Sequence, residues 1–474
     1  MSSLLLLVLL LLPLGLLFAD GNWRGSLLYS VVIGFLRDPL RKLTPDQPAL
    51  FVGLSLLGLL AGALILIQRV GGVNLSRLFS GYRWLIPLIQ ALAGLVALQS
   101  LVSLLNGRPL FVVGIGIGFY AAPLIAAWCG YYLALAPRNV IRFLRLFVGM
   151  SLLFTISILA AYSGYQSPLF AEVGLGMQIH VSELGAYVQG LCGLWRSSEL
   201  AAWSLGAACC FLMILAISSR NPTVITTFSV LMVALLVIST LTGRRKVVVL
   251  VAGFLAFYAL LLAWRGDSRS KYSVLIGGGT AGVLLLLLSF SLEESLGSSS
   301  LGVFVRRTGG VWDQLATRWQ SLGVNVIGAA LTDGGLLGAG VGATAQGART
   351  LGLETGLSSW AAEGGLGKIT LELGLPGILL VLLISLNLVI LFGRIITGLQ
   401  QAAPAYRLLN IGLIAFLASN IPNFAVASQV YGDPFVLSVL GLSAGFVLAA
   451  PAVLTSLPSG VMAPAAPQAA LVRS

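Results

Sequence analysis

The sequence predicts an all-α, polytopic integral membrane protein with about twelve transmembrane helices. Three observations carry this. The 474 residues are 58% hydrophobic and only 9% charged, with a mean hydropathy of +1.00; a soluble domain carries about 25% charged residues. Apolar runs of about 20 residues recur along the chain, the length that crosses a bilayer core as a helix. The period-two alternation of a transmembrane barrel is absent.

The spans are expected at 3–19, 49–67, 84–104, 109–135, 141–161, 200–217, 223–241, 247–264, 273–291, 370–393, 406–420 and 434–453. They form a single integral domain over 1–454. The first apolar run, Leu4 to Phe18, lacks a charged leading region and a small-residue cleavage signal, so it reads as a retained first span. Segment 27–36 is apolar but short, which predicts an interfacial or re-entrant piece. The stretch after Pro451 is rich in Pro, Ala and Ser, and the tail 455–474 is expected to be disordered.

Charge sets the expected orientation. With both termini in the cytoplasm, the inner loops hold Arg69, Arg77, Arg83, Arg138, Arg142, Arg145, Arg220, Arg265, Arg269, Lys271, Arg394, Arg407 and Arg473, opposed only by Asp267. The whole net charge of +12 therefore falls on that face. It is a topology signal and predicts no nucleic-acid partner. Arg37, Arg41 and Lys42 fall on the outer side, against the rule. Two long loops, 162–199 and 292–369, are then extracytoplasmic, and loops of such length are usually functional. Apolar patches at Leu301 to Val305 and Val324 to Leu331 predict short helices on the membrane surface.

Cys129, Cys192, Cys209 and Cys210 show no metal-ligand spacing and read as small core residues. His180 is the only histidine, which excludes a multi-histidine metal site. No metal and no cofactor is expected.

The candidate site residues gather at the outer face. Gly334 to Gly377 is the longest polar stretch, carries Arg349, Glu354, Glu363, Lys368 and Glu372, and leads into the tenth span. Arg244, Arg245 and Lys246 end the seventh span, and adjacent cations at a membrane boundary call for anions or headgroups to meet them. With Arg306, Arg307, Arg318 and Arg349 they offer guanidinium forks suited to phosphate oxygens. Glu363 precedes Gly364, Gly365 and Gly367, where the backbone bends sharply and approaches a ligand closely; it is the catalytic candidate. Lys368 and Glu372 are spaced to pair on one helix face, and Glu372 reads as structural. GLLGAGVGA at 335–343 has no strand before it, so the nucleotide-binding reading fails and tight packing or turning is expected.

In this order, these residues resemble the O-antigen ligase and O-antigen polymerase superfamily of bacterial envelope proteins. STLTGRR at 239–245 is similar to the family's Thr-Gly-Ser-Arg-type string, with Arg245 on the family arginine and Arg244 in place of serine. GLLGAGVG at 335–342 is similar to the Gly-x-Gly-x-Gly segment of the large loop. ELGLPGILL at 372–380 is similar to the acid, glycine and glycine that open a late span. The resemblance covers 220–395. It implies glycosyl transfer at the outer face of the cytoplasmic membrane, without metal, from a glycan on undecaprenyl diphosphate. The acceptor is another lipid-linked glycan for a polymerase and lipid A core for a ligase. Arg245, with one or more of Arg306, Arg307 and Arg318, is then expected to hold the diphosphate. Glu363 activates the acceptor, and Lys368 orients Glu363 or binds phosphate. Family ligases carry a His-Asn pair nine residues before the acid; here that position is Glu363–Gly364, which favours the polymerase. Membrane lipids and envelope polysaccharide assembly proteins are the expected partners.

Two other function classes compete, a lipid-linked oligosaccharide or solute transporter and a non-catalytic assembly subunit. A transporter places ionisable residues near mid-span, and the expected spans carry almost none.

Overall fold

The computed structural model describes residues 3–173, 178–181, 186–219, 221–265, 316–344 and 363–456. The helices are α1 (Ser3–Ala19), α2 (Trp23–Leu43), α3 (Leu54–Val70), α4 (Leu85–Leu105), α5 (Leu110–Ala134) and α6 (Pro137–Tyr162), then α7 (Ser198–Ser219), α8 (Pro222–Thr240) and α9 (Lys246–Arg265). The short α10 (Val326–Gly334) precedes α11 (Gly365–Gly398), α12 (Pro404–Val426) and α13 (Pro434–Leu448). Among the described residues ten helices are long and apolar enough to cross a membrane, and α1 is a shorter apolar helix. A two-stranded antiparallel hairpin, β1 (Gln178–Val181) with β2 (Ala186–Gln189), lies between α6 and α7 and pairs Gln178 with Gln189. The expected span at 273–291, the tail from 457, and the loop residues Arg306, Arg307, Arg349 and Glu354 lie outside the described residues.

Helix α7 is buried along its whole candidate span, as its all-round apolar surface requires. Around it Phe147 meets Phe35 and Phe211 edge-on at 5.4 and 5.1 Å and stacks on Phe435 at 6.0 Å. Small residues let backbones close up where water offers no drive for association. A Cβ on Gly441 would stand 2.4 Å from the Pro123 carbonyl oxygen, and one on Gly445 would collide with that of Ala127. These contacts join α13 to α5.

Segment 27–36 is not a short separate piece. It is the middle of α2, which lies antiparallel along the whole of α3. A Cβ on Gly62 would meet Leu27 at 2.8 Å and one on Gly58 would meet Ser30 at 2.7 Å. The Arg69 guanidinium, in the last turn of α3, donates to the Gly21 carbonyl at 2.8 Å. At the other end, Arg37 donates to the Val52 carbonyl at 2.7 Å and the Ser55 hydroxyl at 2.9 Å. Twenty-one residues rise about 31 Å, the thickness of a bilayer core. Thus α2 runs from the Arg69 end of the bundle, here the lower end, to the upper end. Charged residues conceal it in hydropathy, and protein contacts bury Arg37 and Asp38.

Helix α1 descends to the turn at 20–22 beside Arg69, so its first residue lies at the upper end. Helix α13 starts at the upper end, where Asp433 meets Arg37, and descends along Ala127 and Tyr131 of α5.

Helix α11 is broken at Gly374, which has φ 68° and ψ −164° and precedes Leu375–Pro376. That backbone region is open essentially to glycine alone. Gly365 packs on the Phe424 carbonyl near the end of α12. A straight α11 would rise about 51 Å against about 35 Å for α12, so Gly365–Leu373 runs off the axis of the remainder. The break holds the glycine segment in place: Leu375 N–H donates to the Leu336 carbonyl at 2.9 Å, and Ala339 N–H to that of Leu371 at 2.8 Å. Helix α10 packs on the same half-helix, with Val326, Ala330 and Leu371 buried together.

Candidate functional site

Two polar clusters occupy the upper end. The first is a cleft where α7, α9, α12 and the 427–433 turn converge. Glu199, in the first turn of α7, takes the Arg244 guanidinium at 3.2 Å and the Lys246 ammonium at 3.1 Å on one oxygen. With its amide nitrogen turned toward Glu199, Gln429 donates to both carboxylate oxygens at 2.6 and 2.9 Å. Arg244 Nε also donates to Ser198 Oγ at 3.0 Å, and Ser198 donates its backbone N–H and hydroxyl to Glu172. Glu172 thereby caps the α7 N-terminus, where a carboxylate is favoured by the helix dipole. Arg245 is half-buried beside this group, and its carbonyl opens α9 by accepting from Val248 and Val249. Below the charges the cleft is walled by Ala202, Trp203, Val247, Leu250 and Val430. Asn420 accepts from both Trp203 Nε1 and the Tyr431 hydroxyl at 3.0 Å and so fixes two of its aromatic walls.

A buried ionic network backs the cleft. Arg37 Nη2 donates to both oxygens of Asp433 at 2.6 Å, and Arg196 Nη2 reaches Asp433 at 2.8 Å. Arg37 and Asp433 are fully buried. Burial alone raises the Asp433 carboxyl, but the two guanidiniums and the Phe435 N–H hold it below the usual carboxylate range. Lys42, which the sequence places on the wrong side by charge, donates to the carbonyls of Leu169, Gly193 and Trp195 at 2.9, 2.7 and 2.6 Å. It fastens the 162–199 loop to α2, and Arg196 on that loop stands three residues before Glu199.

Glu363 joins the cleft through the backbone: its carbonyl accepts from Ser428 N–H at 2.8 Å, next to Gln429. Its side chain is half-buried, and among the described residues no hydrogen bond to its carboxylate is found. Gly364 and Gly365 allow this approach, since a Cβ on Gly365 would stand 2.4 Å from the Phe424 carbonyl oxygen.

The second cluster surrounds Glu372, which is fully buried. Tyr120 donates to Oε2 at 2.9 Å, and the Thr344 hydroxyl and backbone N–H donate to Oε1 at 2.6 and 3.3 Å. Lys368 stands 3.5 Å from Oε1, donates to Thr344 at 3.0 Å and lies over the Phe119 ring at 4.7 Å. Lys368 is thus turned to Glu372. It does not orient Glu363, because the i, i+4 spacing places it over the carboxylate one helical turn on.

Of the other expected phosphate ligands, Arg318 is exposed, with no described contact to the cleft. Glu199, Arg196, Gln429 and the Arg37–Asp433 pair were not singled out from sequence. Glu199 and Asp433 carry the signal used for Glu372, an acid at the start of a span; their partners are remote in sequence.

No family model and no curated protein matches the chain. Among the described residues no group of His, Cys, Asp and Glu is arranged to hold a metal ion.

Proposed function

We propose that this protein is a glycosyltransferase of the bacterial cytoplasmic membrane. It polymerises saccharide repeat units from undecaprenyl-diphosphate-linked donors at the outer face, which is the upper end. The observation that carries this reading is the cationic cluster at the cleft: Arg244 and Lys246 meet on the carboxylate of Glu199, with Arg245 beside them, at the upper end between α7, α9 and α12. Guanidinium forks and an ammonium so placed suit the oxygens of a diphosphate.

The chemistry follows. An acceptor hydroxyl attacks the anomeric carbon, its proton passes to Glu363, and the bond from that carbon to the diphosphate oxygen breaks with inversion. The electron pair leaves on the diphosphate, where prepositioned cations lower the energy of the charge that develops. The break in α11 is not read as a transport site. The glycine segment already occupies the N–H and carbonyl groups that a discontinuous helix would offer to an ion.

In this reading the arginine-rich lower end faces the cytoplasm, and the start of α1 faces outward with the cleft. A membrane-impermeant maleimide applied to intact cells is expected to label Ser163→Cys, in the turn after α6, and to spare Asp20→Cys until the membrane is opened. The reverse pattern would place the cleft inside and remove its access to outer-face donors.

The reaction itself is the test. Purified wild-type protein and the host's lipid-linked oligosaccharides, without metal or nucleotide, should give a ladder of products by size. A single addition onto lipid A core would make it a ligase; authentic substrate left unreacted would turn attention to a transporter.

A further inference from the structure

The segment Gly334–Thr344 is expected from sequence in an aqueous outer loop, yet its hydrogen bonding is that of backbone kept from water. The Leu336 carbonyl accepts from Leu375 N–H, and the Leu337 carbonyl from Gln99 Nε2 at 2.6 Å. Ala339, Gly340 and Val341 donate their N–H groups to the carbonyls of Leu371, Glu372 and Gln99 at 2.8, 3.2 and 3.2 Å. The carbonyls of Ala339 and Gly340 accept from Arg108, and that of Val341 from the Ser103 hydroxyl at 2.7 Å. Three polar side chains on or just past α4 are thus devoted to this ribbon. Non-helical backbone at membrane depth persists only when its polar groups are satisfied within the protein.

Depth points the same way. Helix α4 has 21 residues, about 31 Å, and so just crosses a bilayer core. Gln99, which holds the Leu337 carbonyl, lies six residues before its end, about 9 Å below the boundary. At this level the turn Gly335–Gly338 exposes Leu336 and Leu337 at 67% and 71%. They continue the apolar outward face formed by Leu98 and Leu101 on α4 and by Leu375 and Leu379 on α11, all exposed.

We propose that Gly334–Thr344 is a re-entrant ribbon in the upper half of the bilayer, with Leu336 and Leu337 in contact with lipid acyl chains. It is thereby a docking surface for the membrane itself, and it holds the broken half of α11 and Glu372 at a fixed depth. This is independent of the reaction catalysed.

The test uses the full chain in phosphatidylcholine and phosphatidylglycerol nanodiscs, with a nitroxide on Leu336→Cys or, separately, Leu337→Cys. The four native cysteines are buried, which limits background labelling. Both labels should collide with dissolved oxygen more than with a water-soluble nickel chelate, as a label on Leu101→Cys does. A label on the exposed Arg318→Cys should show the reverse. Nickel accessibility at 336 and 337 equal to that at 318 would overturn the proposal. So would loss of collisions with both reagents together with dipolar broadening, which would mean that a second copy of the chain covers the tip.

Discussion

Replacing Asp433 by Ala is expected to destabilise the protein by about 3–5 kcal/mol, the usual cost of removing one partner from a buried ion pair. Arg37 is fully buried and gives Asp433 both of its shortest charged hydrogen bonds. Without Asp433 the Arg37 guanidinium keeps Asp38 at 3.5 Å and two neutral acceptors, too little to replace the solvation it has lost. The substitution also removes the cap of α13, where Asp433 accepts from Phe435 N–H at 2.8 Å. Arg196 loses the same carboxylate, so the 162–199 loop loosens at the rim of the cleft. Thermal unfolding in detergent measures the loss. A single Asp433→Ala variant as stable as wild type would mean that this network does not hold α2, α7 and α13 together.

Ten of the expected spans were legible in the sequence because hydropathy over about 20 residues reports the solvent each helix meets. Helix α2 was not, although it is of spanning length. Arg24, Arg37, Asp38, Arg41 and Lys42 dilute its apolar signal, and the main partner that makes Arg37 tolerable, Asp433, lies almost 400 residues away. The pairing of Lys368 with Glu372 was legible from spacing on one helix. Tyr120 and Thr344, which complete that cluster, were not, since helices separated in sequence bring them there. The glycine string 335–343 signalled close packing; which surface it packs on depends on Gly374, whose backbone twist no local pattern predicts. At the cleft the Arg-Arg-Lys triplet was visible as adjacent cations at a span boundary. The carboxylate that gathers Arg244 and Lys246, Glu199, stands 45 residues from Arg244.

Glu363→Gln is expected to lower the rate of transfer by about 100- to 10,000-fold, the usual contribution of a positioned general base. The reason is geometric. Glu363 is held at the cleft by its carbonyl, through Ser428 N–H, and this contact survives in glutamine. Its half-buried carboxylate has no hydrogen-bond partner among the described residues. The substitution therefore removes the proposed proton acceptor and little else, and thermal stability should stay within about 0.5 kcal/mol of wild type, as for a surface change. Product ladders from wild type and Glu363→Gln, run side by side on the same lipid-linked oligosaccharides, test the central claim most directly. The account predicts a ladder from wild type and almost none from a folded Glu363→Gln protein; ladders of equal length and yield would contradict it.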